Sequence, residues 1–310
     1  KGNIEETAYW DKRQLVKKIN LNSLYGALLN PGSRFNDPRM GQSTTLTGRT
    51  IARHMGAKVN ELFTGKYDHV GEAIIYGDTD SVYFSAYPVF KSQIESGEFD
   101  WDKDKVTELY ETVCEQANET FPDYMATAHN VQNREQGEII AAAREVSATS
   151  GIYITKKRYA ILVYDNEGHR EDKDDKPGKI KAMGLDLKRS DTPAFMQEFL
   201  NELLLKTLTG TSEEEIIERI IEFRSEFRNM PAWLKGTPKR VNKLTHYYNS
   251  EYMIDPKTGD EIYKGKSNMP GHVRAAINYN RMRRMNSDKS SMEFMDGMKT
   301  IVCKLKDNPM

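Results

Sequence analysis

The sequence predicts an α+β fold built from antiparallel hairpins and helices. Two observations carry that prediction. Short β-type runs come in pairs closed by polar turns: Ala73-Ile74-Ile75-Tyr76 with Val82-Tyr83-Phe84-Ser85, and Gly151-Ile152-Tyr153-Ile154 with Tyr159-Ala160-Ile161-Leu162-Val163-Tyr164. The longer stretches around them repeat apolar residues at helical spacing. At 310 residues the chain holds one large or two ordinary domains and buries a substantial core.

The elements follow in order. Residues 8–29 read as a helix stopped by Asn30-Pro31-Gly32. A second helix is expected over 44–63, where Ile51, Met55, Val59 and Leu62 recur at helical spacing. The first hairpin comes next, with Tyr76-Gly77-Asp78-Thr79-Asp80-Ser81 at its tip. A helix is expected over 101–125, with Val106, Leu109, Tyr110 and Val113 on one stripe. The second hairpin turns through Thr155-Lys156-Lys157-Arg158. Residues 166–181 are dense in charge with Gly and Pro and read as a mobile, solvated loop. Asp191-Thr192-Pro193 then opens a helix over 193–208, because proline at a helix start forfeits no hydrogen bond, and another helix follows over 212–227.

Composition narrows the function classes. The formal net charge is −1 with 29% charged residues, so any attraction to nucleic acid must come from local basic patches. The two cysteines, Cys114 and Cys303, form neither a metal-ligand spacing nor a disulfide framework and suit a reducing cytosol. No apolar stretch is long enough to cross a bilayer, and neither a signal peptide nor a membrane role is expected. The histidines lack zinc-binding spacing. Met282, Met285, Met292, Met295 and Met298 read as flexible core filling.

Three constellations carry chemistry. Asp78 and Asp80 place two hard anionic ligands on one tight turn, as Mg²⁺-assisted phosphoryl or nucleotidyl transfer requires; the alternative is an ordinary polar turn. On a helix Lys18, Asn22 and Tyr25 fall at i, i+4 and i+7 and share a face. A cation, an amide and a phenol in a row suit a nucleotide, though a mixed polar helix face needs no function. Lys156, Lys157, Arg158 and Tyr159 form a basic turn with an aromatic, which is otherwise a solvated turn. Further on, Lys235, Lys239, Arg240, Lys243 and His246 accompany Tyr247 and Tyr248, and Arg274, Arg281, Arg283 and Arg284 follow His272. Such clusters suit duplex phosphates, with solvated helix faces as the alternative.

Taken in order, Lys18-x3-Asn22-Ser23-x-Tyr25-Gly26, Tyr76-Gly77-Asp78-Thr79-Asp80-Ser81 and Lys156-Lys157-Arg158-Tyr159 resemble the polymerase core of family B DNA polymerases. With Met183-Gly184-Leu185-Asp186 and His272-Val273-Arg274, the resemblance extends to the replicative enzymes of T-even-type phages, from about residue 12 to near the C-terminus. It implies residues 1–30 as the end of the fingers, 31–180 as an antiparallel palm sheet backed by helices, and 181–310 as a mainly helical, truncated thumb. The activity implied is DNA-templated transfer from a dNTP to a primer 3′-hydroxyl, with two Mg²⁺ ions in the complete site.

The resemblance also assigns roles. Asp80 would ligate metal directly, with Asp78 as a neighbouring carboxylate. Lys18 would neutralise the triphosphate, Asn22 and Tyr25 would flank the nascent base pair and sugar, and Gly26 would keep the helix surface low. Lys156, Lys157, Arg158 and Tyr159 would grip the primer end, while Arg189, Lys239, Arg240 and Arg274 would contact duplex DNA. Where nearby family members carry Asp-x-Glu, this chain has Ala143-Arg144-Glu145, so only Glu145 remains as a supporting carboxylate.

The family's Asp-x-x-Ser-Leu-Tyr-Pro-Ser motif, which carries the other catalytic aspartate, is absent from the sequence, as is the proofreading exonuclease. The expectation is therefore the C-terminal part of a polymerase, split naturally or cut. Its expected partners are primer-template DNA, dNTP, an N-terminal polymerase polypeptide and a sliding clamp, and its expected place is the cytosol of a bacterial host. The alternative is a non-catalytic primer-template-binding fragment or accessory subunit. An unrelated Mg²⁺-dependent phosphotransferase would leave the Lys18, Asn22 and Tyr25 row unexplained.

Overall fold

The computed structural model describes residues 4–303. The fold is α+β with small antiparallel sheets, and the chain divides into two compact units, Lys1–Ser147 and Ala148–Met310. No helix among the described residues is long and apolar enough to cross a membrane.

The first unit opens with α1, Ile4–Leu29, which ends at Asn30 ahead of Pro31. The Leu28 carbonyl there accepts from the Asp37 backbone (3.0 Å) and the Asn36 side chain (2.9 Å), fixing the turn into α2, Pro38–Thr64. The expected start near residue 44 is too late. Asp37 caps Arg39 N at 3.0 Å and Pro38 occupies the first turn, so the helix begins there. Gly65, at φ 73°, ends it and donates to the Glu61 carbonyl at 2.8 Å. The buried face of α2 carries His54, Ala57, Val59 and Asn60, whereas Leu62 of the expected stripe is exposed.

Against α2 sits the hairpin of β1, Ile74–Asp78, and β2, Ser81–Phe84. Ile75 is an extra residue in its register, a bulge between the Ile74–Phe84 and Tyr76–Tyr83 pairs. A short helix not expected from the sequence, α3 (Tyr87–Glu95), follows, and Phe63, Phe84, Phe90, Phe99 and Tyr110 pack as an aromatic cluster beneath it. The expected 101–125 helix is two helices, α4 (Lys103–Glu119) and α5 (Phe121–His129). Pro122 accounts for the break, since it has no N–H to give Asn118 and its ring would crowd that carbonyl. A single turn, α6 (Arg134–Gly137), packs on α5.

The second unit is built on β3 (Val146–Thr155), whose first two residues belong to the first unit, with β4 (Arg158–Asn166), β5 (His169–Arg170) and β6 (Lys179–Met183). Strand β4 is central, and Tyr159 to Asp165 are all buried, as a strand covered on both faces should be. The charged 166–181 segment is thus not simply a loop. β5 and β6 both pair antiparallel with β4, and Ile180 and Ala182 pack on the buried Ala160, Leu162 and Leu208. The dense charge hid this apolar alternation.

A 3₁₀ turn, Asp186–Lys188, leads to α7 (Ala194–Leu208) and α8 (Glu213–Asn229), where Phe199 and Phe223 stack at 3.5 Å between centroids. Pro193 is the residue before α7 rather than its first turn. The remainder holds β7 (Thr237–Arg240), α9 (Leu244–Glu251), β8 (Tyr252–Ile254), β9 (Glu261–Tyr263), α10 (Gly271–Met285) and β10 (Lys299–Val302). β7 pairs β10 and β8 pairs β9. Tyr252, Met269, Val273 and Ile277 form the local core. Four of the five methionines expected to fill a core do not: Met282, Met285, Met292 and Met295 are exposed and Met298 is half-buried, while α10 turns Val273, Ala276, Ile277 and Asn280 inward.

Candidate active site and nucleic-acid interface

In the first unit, the two carboxylates are placed by the hairpin. Asp78 ends β1 opposite Ser81, so the turn is only Thr79 and Asp80. Thr79 adopts φ 51°, a left-handed conformation that a β-branched residue rarely takes and that the surrounding pairing must hold. Asp80 is exposed and Asp78 half-buried, with Asp78 Oδ1 accepting from the Thr79 hydroxyl at 3.1 Å. The base of the hairpin is clamped to α2. Buried Asn60 accepts from Ala73 N at 3.1 Å and donates to the Lys66 carbonyl at 2.9 Å, and the Ala73 carbonyl accepts from Ser85 N at 2.9 Å. A side chain at Gly71 would collide with the Asn60 amide, so the chain passes there only as glycine.

Lys18, Asn22 and Tyr25 share α1 as expected, with Lys18 and Asn22 exposed and Tyr25 half-buried. Gly26, one step on, has open space where a Cβ would stand. Most apolar side chains of this helix are also uncovered, including Trp10, Leu15, Ile19, Leu21 and Leu24. Helix α1 is anchored by Leu29 against Gly41 near the start of α2, while Val82 of the hairpin lies against Gly56 further along it. At 1.5 Å per residue these two attachments are roughly 22 Å apart on one rigid helix.

Glu145 is exposed. Its neighbour Arg144 is the more constrained group: its side chain is 7% exposed, 2.9 Å from Glu111 and 3.4 Å from the Ser147 hydroxyl. A second buried polar site has no local signal in the sequence. His54 Nε2 lies 2.9 Å from Thr120 Oγ1, whose own proton goes to the Ala117 carbonyl at 2.7 Å, so Nε2–H donates and Nδ1 accepts from Tyr67 O–H at 2.7 Å. Tyr124 stacks on this ring at 3.8 Å. Burial, helped by Lys58, pushes the His54 pKa below the ordinary imidazole value. A cavity of about 210 Å³ opens beside it, lined by Thr50, Arg53, Tyr67 and His69 among others.

In the second unit, Lys156 and Lys157 form the two-residue turn between β3 and β4, with Lys157 at φ 61°. Arg158 Nε donates to the Gly184 carbonyl at 3.2 Å, and Tyr159 is buried and stacked on Tyr153 at 5.6 Å. Arg189, Lys239 and Arg240 come together with Lys299 around a cavity of about 500 Å³. Asp191 sits among them, 3.1 Å from Arg189 and 3.2 Å from Lys239, and these two cations hold its carboxyl at about 2, well below the usual range. Lys299 was not singled out in the sequence; it arrives by pairing opposite Arg240 across β7 and β10, which no local spacing announces.

Three further basic residues have partners of their own. Arg274 pairs with Glu251 at 2.8 Å, a carboxylate 2% exposed, and donates to the Ser267 carbonyl at 2.8 Å. Lys235 donates to the Arg228 carbonyl at 3.1 Å beyond α8, and Arg281 pairs with Glu261 over the Tyr252 ring. Lys235 thus donates to the end of α8, whereas Lys239 pairs with Asp191.

Asp78 and Asp80 offer carboxylate oxygens of the kind Mg²⁺ takes, and they supply part of a ligand set. Among the described residues no group of three or more His, Cys, Asp or Glu side chains is close enough to hold a metal ion.

Comparison with known proteins gives the hairpin and α1 a context. The family model for DNA polymerase family B matches residues 2–95. The DNA-directed DNA polymerase of Enterobacteria phage T4 is 30% identical over 96% of this chain and 32% of its own length. That of Escherichia phage RB69 is also 30% identical, over 96% of this chain and 32% of its own. The DNA polymerase alpha catalytic subunit of Arabidopsis thaliana is 27% identical over 71% of this chain and 12% of its own length. Residues 2–95 thus match DNA polymerase family B, and the chain as a whole is similar to T4-like phage polymerases. It spans about a third of the length of the phage relatives it matches.

Proposed function

We propose that this chain contributes to DNA-templated DNA synthesis, transferring a nucleotide from dNTP to a primer 3′-hydroxyl. The observation that carries the reading is the clamped hairpin with Asp78 and Asp80 at its two-residue turn, in the stretch that matches this family. Asp80, exposed at the tip, would hold Mg²⁺, with Asp78 beside it. Two bound ions supply charge stabilisation for the attacking and leaving oxygens of the displacement. A further carboxylate would complete the ligand set. In this reading it comes from the Asp-x-x-Ser-Leu-Tyr-Pro-Ser motif, which the sequence does not contain, on an N-terminal polymerase polypeptide.

The chain's own residues act around that centre. Lys18 neutralises the triphosphate as a point charge. Asn22 and Tyr25 bear on the base pair and sugar, and Gly26 leaves room for them. Lys156, Lys157 and Arg158 hold the primer end by phosphates and the minor groove, which tests pairing geometry without reading sequence, while Tyr159, expected to join them, is buried against Tyr153 and supports the turn from beneath. Arg189, Lys239, Arg240 and, as an addition, Lys299 track duplex phosphates. Arg274 is better read as the partner of Glu251, and Glu145 as a supporting carboxylate. The fingers (1–30), palm (31–180) and thumb (181–310) keep these boundaries in the proposal. A sliding clamp and the cytosol of a bacterial host complete it.

Primer extension with Mg²⁺ and four dNTPs tests the reading, using this chain alone and mixed with the N-terminal region of a phage relative. Extension is expected on mixing and is expected to vanish in Asp80→Ala while DNA binding persists. Retained extension in that variant would remove Asp80 from the metal site. The second reading, a DNA-gripping fragment, is favoured by one observation: the basic turn and the basic cavity both lie within the second unit. DNA binding without extension in either arm would select it.

A further inference from the structure

Met183 ends β6 and Gly184 follows it, and neither takes part in the proposed chemistry. We propose that Gly184 is a positioning residue for the basic turn, holding Lys156 and Lys157 in the orientation in which they meet DNA. This deepens, and rests on, the reading of that turn as a primer-template contact.

Three features argue it. Gly184 adopts φ 67°, and a Cβ there would collide with the Lys157 carbonyl and approach Arg158 Cγ at 3.0 Å. The turn is therefore seated on the bare α-carbon of Gly184. Arg158 Nε ties the two segments again by donating to the Gly184 carbonyl at 3.2 Å. The register brings Met183 opposite Tyr159, so β6 delivers Gly184 to the start of β4 and the turn preceding it. Lys157 itself stands at φ 61°, a conformation more often left to glycine or asparagine. A two-residue turn with a lysine in that region needs outside support, and Gly184 provides it.

The far end of β6 supplies a matched comparison. Gly178, at φ 124°, also lies where a Cβ would collide with a carbonyl, that of Val163. It flanks the same strand but not the basic turn. Damage to the sheet alone should follow from either glycine, whereas damage to DNA binding should follow only from Gly184.

The test is fluorescence anisotropy of a labelled primer-template duplex over a range of salt, together with mass-spectrometric mapping of lysine-specific endoproteinase cleavage after Lys156 and Lys157. Gly184→Ala is expected to weaken binding by about tenfold and to lower the salt slope by roughly 0.9 for each phosphate no longer neutralised. It should accelerate cleavage at the turn and add nothing further in a Lys156→Ala/Lys157→Ala background. Gly178→Ala should lower the unfolding temperature without either change. Equal DNA-binding losses from both glycines, or a Gly184→Ala loss that persists in the lysine-free background, would overturn the proposal. If the lysine-free variant binds DNA like the native chain, the reading of the turn fails. The cleavage then decides alone: acceleration in Gly184→Ala supports positioning, and no change overturns it. Should Gly184→Ala not fold, Arg158→Gln removes the second tie without a steric clash, and cleavage reads the same two outcomes.

Discussion

Gly26 illustrates how a single residue separates stability from use. Glycine inside a helix costs roughly 0.5–1 kcal/mol relative to alanine, yet none of the described residues occupies the space its side chain would take. Gly26→Ala is therefore expected to raise the unfolding midpoint slightly. If a base pair approaches this face, the same change lowers extension by the assembled polymerase, so calorimetry and extension should move in opposite directions. Asp191 offers a second residue-scale contrast. Its carboxyl, held at about 2 by Arg189 and then Lys239, stays charged through the physiological range. Because its folded value lies below the unfolded one, the pairing contributes fully above about pH 4 and is lost as pH falls toward 2. Asp191→Asn frees Lys239 and leaves Arg189 with only its longer contact to Asp186 at 3.8 Å, and anisotropy titrations should show tighter duplex binding with a steeper salt dependence.

At the scale of elements, the α2 helix carries the clearest pH signature. His54 is neutral when folded, since burial first and Lys58 second depress its pKa, while Glu61 opposes them weakly. The unfolded chain takes up the proton more readily, so this contribution is full above the unfolded value of about 6.5 and declines as pH falls through the window below it. Thermal unfolding followed between pH 5 and 7.5 should show falling stability toward acid, and the part of that slope missing in His54→Gln belongs to His54. Nothing local in the sequence announced this site, because Tyr67 and the Thr120–Tyr124 stretch reach His54 from two distant segments. The same reason hid Lys299, which joins Arg240 only through a long-range strand pair. Both motif hairpins, by contrast, were legible, since their alternation and turn chemistry are local. The charged strand β6 was not legible, because packing of Ile180 and Ala182 on Leu162 and Leu208 overrode its composition.

For the whole molecule, a net charge of −1 means that any grip on DNA depends on where cations gather rather than on how many there are. The Lys156–Lys157 turn and the Arg189, Lys239, Arg240 and Lys299 cavity are such gatherings, and Asp191 moderates the second. Apolar surface is distributed just as unevenly. Trp10, Leu15, Ile19 and Leu24 are each more than half exposed along α1, the kind of surface that ordinarily meets another chain or segment. The chain alone should bind an apolar dye such as anilinonaphthalene sulfonate. Leu15→Glu with Ile19→Glu should reduce that fluorescence while leaving the unfolding midpoint nearly unchanged, since neither side chain is buried.

The Asn60 clamp gives the Asp78–Asp80 hairpin the mechanics of a cantilever. Its root is gripped at Ala73 by a buried amide, and its tip extends on the order of 15–20 Å away. A beam held at one end converts a slight tilt at the root into a larger displacement at the tip. The accuracy with which two carboxylates are aimed is thus set by an asparagine that never approaches them, and errors there would surface as poor aim long before they surfaced as a failure to fold.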